Sequence, residues 1–86
     1  MTPKAKAGLM RLVNRLPEWQ AQIERLGETD PKFREVCLDY EEVAQATEYW
    51  SRSSSPALAD KIDECEKMLQ ALETEALQRL QEFDAG

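Results

Sequence analysis

Eighty-six residues, 42% hydrophobic and 33% charged with a net charge of −6, suffice for one small core and exclude a multidomain chain. Three glycines, and clusters of Ala, Leu, Glu, Gln and Lys, exclude collagen-like and disordered compositions and predict an all-α fold. Residues 1–16 hold Lys4, Lys6, Arg11 and Arg15 and no acid, so the other seventy residues carry −10, a body unsuited to nucleic acid as its main partner.

The chain begins with this basic arm, residues 1–16. Leu9, Leu12, Val13 and Leu16 fall on one side of it, and the stripe continues to Trp19 through Pro17. A helix cannot cross that proline without losing a hydrogen bond and clashing with the preceding turn, so a break is expected near residues 13–16. The apolar runs here are only two residues long, so neither a secretory core nor a membrane span is expected.

A short helix is expected over residues 17–27, opened by Pro17, with Trp19, Ile23 and Leu26 on one face and Gly27 as its stop. Asp30–Pro31 then reads as an N-cap followed by the first helical residue, and Ser55–Pro56 repeats the pattern. Helices are therefore expected over residues 31–52 and 56–84. Phe33, Val36, Tyr40, Val43, Thr47 and Trp50 form a heptad seam in the first, and Leu58, Ile62, Cys65, Leu69, Leu72 and Ala76 form one in the second.

The serine-rich link around Ser51, Ser53 and Ser54 is short, so the two seams should meet as an antiparallel, coiled-coil-like two-helix hairpin. Trp50 then pairs with Leu58, Thr47 with Ile62, Val43 with Cys65, Tyr40 with Leu69, Val36 with Leu72 and Phe33 with Ala76. Leu80 and Phe83 run past Asp30 in this register, and the 17–27 helix is expected to fold back over that open end. The whole chain, residues 1–86, is one domain on this reading.

The run Leu16, Pro17 and Glu18, followed by Ile23, Leu26, Asp30, Phe33 and Tyr40, resembles the YdcH-like family of short bacterial proteins of unknown function over about residues 16–82. The resemblance implies a helical hairpin preceded by a short helix in a bacterial, cytoplasmic, non-enzymatic protein. It supplies no catalytic or binding residue.

Chemistry finds little to work with. The chain has no histidine, which removes the commonest general base and the imidazole metal ligand. Asp60, Asp63, Glu64 and Glu66 fall mostly off the seam and read as a solvated face. In the expected register Cys37 and Cys65 stand about 9 Å apart along the axis, too far for a disulfide, and read as small buried thiols in a reducing compartment. No enzyme, cofactor or metal site is expected.

What remains is an interaction module whose partner is a protein, either a second copy or another helix. Leu38, Met68 and Leu77 lie beside or outside the seam, and Leu9, Met10, Leu12 and Val13 form the arm's unassigned stripe. These seven residues are the expected interaction surface. The alternative is an electrostatic tether, in which residues 4–16 lie on an anionic membrane as a peripheral contact or touch nucleic acid.

Overall fold

The computed structural model describes residues 1–52 and 58–85, and these are almost wholly helical, with no strand among them. In chain order come α1 (Pro3–Arg15), a 3-10 turn (Pro17–Trp19), α2 (Gln20–Thr29), α3 (Pro31–Ser51) and α4 (Ala59–Ala85). The expected Ser55 cap and Pro56 start lie outside the described residues. None of the described helices is long and apolar enough to cross a membrane.

Local chemistry accounts for the boundaries. Thr2 caps α1 by accepting from the Ala5 N–H at 3.2 Å, with Pro3 in the first turn. Leu16, next to Pro17, leaves the helical region at φ −128°, ψ 62° and ends α1, as the steric demand of a following proline requires. Asp30 serves two helices: its N–H closes α2 on the Leu26 carbonyl at 2.8 Å, and its carboxylate accepts from the Lys32 N–H at 3.0 Å to open α3. One extended residue thus turns the chain.

Gly27 does not stop its helix, contrary to expectation. It lies inside α2, which runs on to Thr29, and neither Gly8 nor Gly27 has a positive φ. Arg34 of α3 reaches back and donates to the Gly27 and Glu28 carbonyls at 3.2 and 3.1 Å, satisfying acceptors that a helix end otherwise leaves open. At Gly27 the side chain of Leu9 comes close. A Cβ at this position would stand 2.4 Å from the Leu9 Cδ1.

The arm, whose seat its spacing leaves open, is a packed helix over residues 3–15, and its contact with α3 is the most extensive among the described elements. Ala5 and Gly8 let it approach: a Cβ on Gly8 would fall 1.8 Å from the Cys37 carbonyl oxygen. Leu9, Leu12 and Val13 enter one core with Ile23 and Leu26 of α2, Phe33, Val36, Cys37 and Tyr40 of α3, and Ala76 and Leu80 of α4. The expected short helix does meet α4, and Leu80 is fully buried, but Phe83 remains 39% exposed. It sits almost a turn beyond Leu80, past the two core residues that α2 contributes.

Helices α3 and α4 also lie against each other. Lys61 stands 5.1 Å over the Trp50 ring, and the Tyr40 hydroxyl donates to Glu73 at 2.8 Å. Those partners lie three and four residues further along α4 than the expected Leu58 and Leu69. Thr47, the polar seam residue, donates to the Val43 carbonyl at 2.9 Å within its own helix, so it is half-buried without an idle hydroxyl.

The core occupies only part of the length. The molecule measures 46 × 23 × 20 Å, and 27-residue α4 accounts for about 40 Å at 1.5 Å per residue. Yet the buried residues of α4 are Ala76 and Leu80, and those of α3 end at Ala44. Past that point Trp50, Leu58, Ile62 and Cys65 are only half-buried.

Candidate interaction surface

Two features decide what this fold offers a partner: where the cations of α1 go, and which apolar side chains stay open. Arg11 Nε donates to both carboxylate oxygens of Glu41, at 2.9 and 2.7 Å, and its Nη2 pairs with Glu48 at 2.8 Å. Glu41 is 3% exposed, the one charged residue in the buried set. Hydrogen bonding to Glu41, more than offsetting the desolvation that works against it, raises the Arg11 pKa above its ordinary value.

Further along α1, Arg15 pairs with Glu73 of α4 at 3.3 Å, and Glu73 also accepts the Tyr40 hydroxyl. Burial first, and then the Glu73 carboxylate, push the Tyr40 phenol up. Lys4 reaches Glu42 at 3.3 Å. Three of the four cations of the arm are thus engaged by carboxylates of α3 and α4, and Lys6 alone has no ion pair among the described residues.

The expected surface residues divide accordingly. Leu9, Leu12 and Val13 are buried in the core and present no surface, a correction that follows from the close seat of α1 on α3. Met10 and Met68 are about half exposed, at 49% and 53%, while Leu38 and Leu77 are half-buried. Tyr49 is the most exposed large hydrophobic side chain among the described residues, at 68%, with its ring edge-on to Trp50 at 5.0 Å. Sequence reasoning passed over Tyr49 because it falls one residue off the heptad seam.

Met68 belongs to a groove of about 360 Å³ between α3 and α4, lined by Asp39, Glu42, Val43, Ala71 and Leu72 as well. Two larger grooves surround Met1. One runs past Lys6, Met10, Glu24 and Glu28, the other past Ala5, Glu35 and Leu38, and Arg34 borders both. These two mix both signs of charge. The Met68 groove is lined only by apolar residues and acids.

Among the described residues no three of His, Cys, Asp and Glu converge as a metal site. Cys37 and Cys65 are unbridged, the first buried and the second half-buried. Burial pushes the Cys37 thiol from 9.0 up to about 12, which suppresses the thiolate needed for nucleophilic chemistry. A buried group with a raised pKa favours folding fully below its ordinary pKa, and that contribution fades as pH climbs through the raised one.

Folding stability should therefore decline from about pH 9 towards pH 12, less steeply in Cys37→Ala, as thermal unfolding across that range will show. At neutral pH Cys65 should react with a thiol reagent first. Three comparisons with known proteins add no relative: no family model, no curated protein and no solved structure matches this chain.

Proposed function

We propose that this chain is a non-enzymatic protein-protein interaction module. In this reading α3 and α4 act as a coiled-coil-like hairpin, α1 and α2 brace one end of it, and the other end meets a helix of a second copy or of another protein. One observation carries the reading: the buried residues of α3 and α4 gather at the braced end, while Trp50, Leu58, Ile62, Cys65 and Leu69 stay half-buried beside exposed Tyr49 and Met68. Apolar side chains left open beside charged ones are what partner surfaces present. A bacterial, cytoplasmic setting and kinship with the YdcH-like family belong to the same proposal, carried by apolar spacing.

The tether reading has less behind it. A basic amphipathic helix needs a free apolar face and free cations to lie on a membrane, whereas Leu9, Leu12 and Val13 are in the core and Lys4, Arg11 and Arg15 are paired.

Sedimentation over a wide concentration range, together with affinity capture, tests the proposal against a Tyr49→Asp/Met68→Glu variant. Both positions are exposed, so the variant should fold. Association or capture of a partner by the wild type, lost in the variant, is the expected outcome. A wild type that stays monomeric and captures the same proteins as the variant would contradict it.

A further inference from the structure

We propose that the open groove between α3 and α4, floored by Val43, Met68, Ala71 and Leu72 and edged by Asp39 and Glu42, receives a basic amphipathic helix of another protein. The inference rests on the interaction reading and names the chemistry of its partner.

Charge is the first ground. The groove has an apolar floor, and its two polar lining residues are both carboxylates. By helical spacing Glu64 and Glu75 lie on the same side of α4 as Met68 and Ala71. The cations of α4 that flank this stretch are engaged, Lys61 over the Trp50 ring, Lys67 with Asp63 at 3.0 Å and Arg79 with Glu75 at 3.5 Å. Among the described residues Glu42 is held by Lys4 alone, across an exposed 3.3 Å pair, which contributes little and can be exchanged for another cation.

The second ground is what α3 already holds. Helix α1 has no acidic residue; it turns Leu9, Leu12 and Val13 inward and places Lys4, Arg11 and Arg15 on Glu42, Glu41, Glu48 and Glu73. An acid-free, leucine-faced helix is therefore what the acidic face of α3, with Glu73 of α4 at its edge, accommodates. The groove around Met68 likewise joins apolar residues to carboxylates, and none of the described residues occupies it. A helix laid into it would use anchors at i, i+3 or i+4, and i+7, with the unbranched Met68 side chain adapting to their shape.

A second copy fits this groove poorly. Outside residues 1–16 the chain carries −10, so every helix a copy could offer apart from α1 would bring carboxylates towards Asp39 and Glu42, and α1 is built into its own core. Like charges facing each other across an interface select against that pairing.

The test titrates the labelled full chain, by NMR, with a synthetic 14-residue helical peptide carrying leucine at i, i+3, i+4 and i+7 and lysine elsewhere. A scrambled peptide of the same composition and a glutamate-for-lysine peptide serve as controls. The lysine helix is expected to bind, to shift Val43, Met68 and Leu72, and to weaken with added salt. An Asp39→Lys/Glu42→Lys chain should bind it at least tenfold more weakly, and both substitutions are at exposed positions, so folding is retained.

Equal binding of the scrambled or acidic peptide, shifts centred elsewhere, or full affinity in the charge-reversed chain would overturn the inference. No peptide binding combined with a concentration-dependent dimer that Met68→Glu dissolves would make a second copy the occupant: the inference falls and the interaction reading stands. No peptide binding, a monomer throughout and no capture sensitive to Tyr49 and Met68 would remove both.

Discussion

Alanine at position 8 will destabilise the protein by about 2–4 kcal/mol, the upper range for overpacking a tight contact. In an exposed helix the same change would be favourable by about 1 kcal/mol, so the sign alone is informative. The cause is the 1.8 Å separation between the added Cβ and the Cys37 carbonyl oxygen, with the Cys37 carbonyl carbon at 2.7 Å and the Glu41 Cβ at 3.2 Å. Backbone atoms inside a helix cannot step aside, so α1 as a whole must lift. Lifting it opens the Leu9, Leu12 and Val13 core and stretches the Arg11–Glu41 pair.

Gly27→Ala is the matched control. Its added Cβ would meet the Leu9 Cδ1 at 2.4 Å and the Met1 Cε at 3.1 Å, both ends of flexible side chains that can rotate away. The gain in helix propensity of about 1 kcal/mol should roughly cancel the cost of that adjustment. Urea denaturation of both variants checks the pair: a large loss for Gly8→Ala and a small change for Gly27→Ala are expected.

Arg11→Met should cost about 3 kcal/mol, because it strands the Glu41 carboxylate in a site where it is 3% exposed and a buried charge without its partner is strongly unfavourable. Arg11 itself keeps 34% of its side chain exposed, so solvent screening holds the figure to the low end of the range for breaking a buried pair. Adding Glu41→Leu to the same chain should recover at least half of the loss, since an apolar pair of similar size needs no counter-charge. A double-mutant cycle read by chemical unfolding measures this directly. A double variant as unstable as Arg11→Met alone would mean that packing, and not charge, underlies the effect.

Cap chemistry was the legible part of the fold, because it is local. Asp30 and Pro31 announce a helix start from two adjacent residues, and Pro17 marks the break at Leu16 through the steric rule for the preceding residue. The apolar stripe of residues 9–16 was equally visible, but a stripe does not say what covers it. The seat of α1 depends on Gly8 meeting a carbonyl 29 positions away, and on Arg11 meeting Glu41 at a separation of 30. Neither distance leaves a trace in local spacing.

Gly27 shows the same limit from another side. A glycine that ends a helix and one that makes room for a leucine from another helix are identical in sequence, and only the neighbour distinguishes them. The small pair Ala5 and Gly8, on the face that also carries Leu9 and Leu12, was a readable sign of close helix approach. For the candidate surface, Met68 stood out from its spacing beside the seam, whereas Tyr49 and the Asp39–Glu42 rim become evident only once α4 is placed against α3.

Residue-resolved amide exchange tests most directly whether α1 is an integral core helix that leaves the far side of α3 and α4 as the free surface. The Leu12 and Val13 amides should exchange as slowly as those of Cys37 and Tyr40, while amides in residues 45–50 and 60–66 exchange faster. Free-peptide exchange at Leu12 and Val13 beside a protected Cys37 would contradict it, returning the basic arm to solvent and its cations to outside partners.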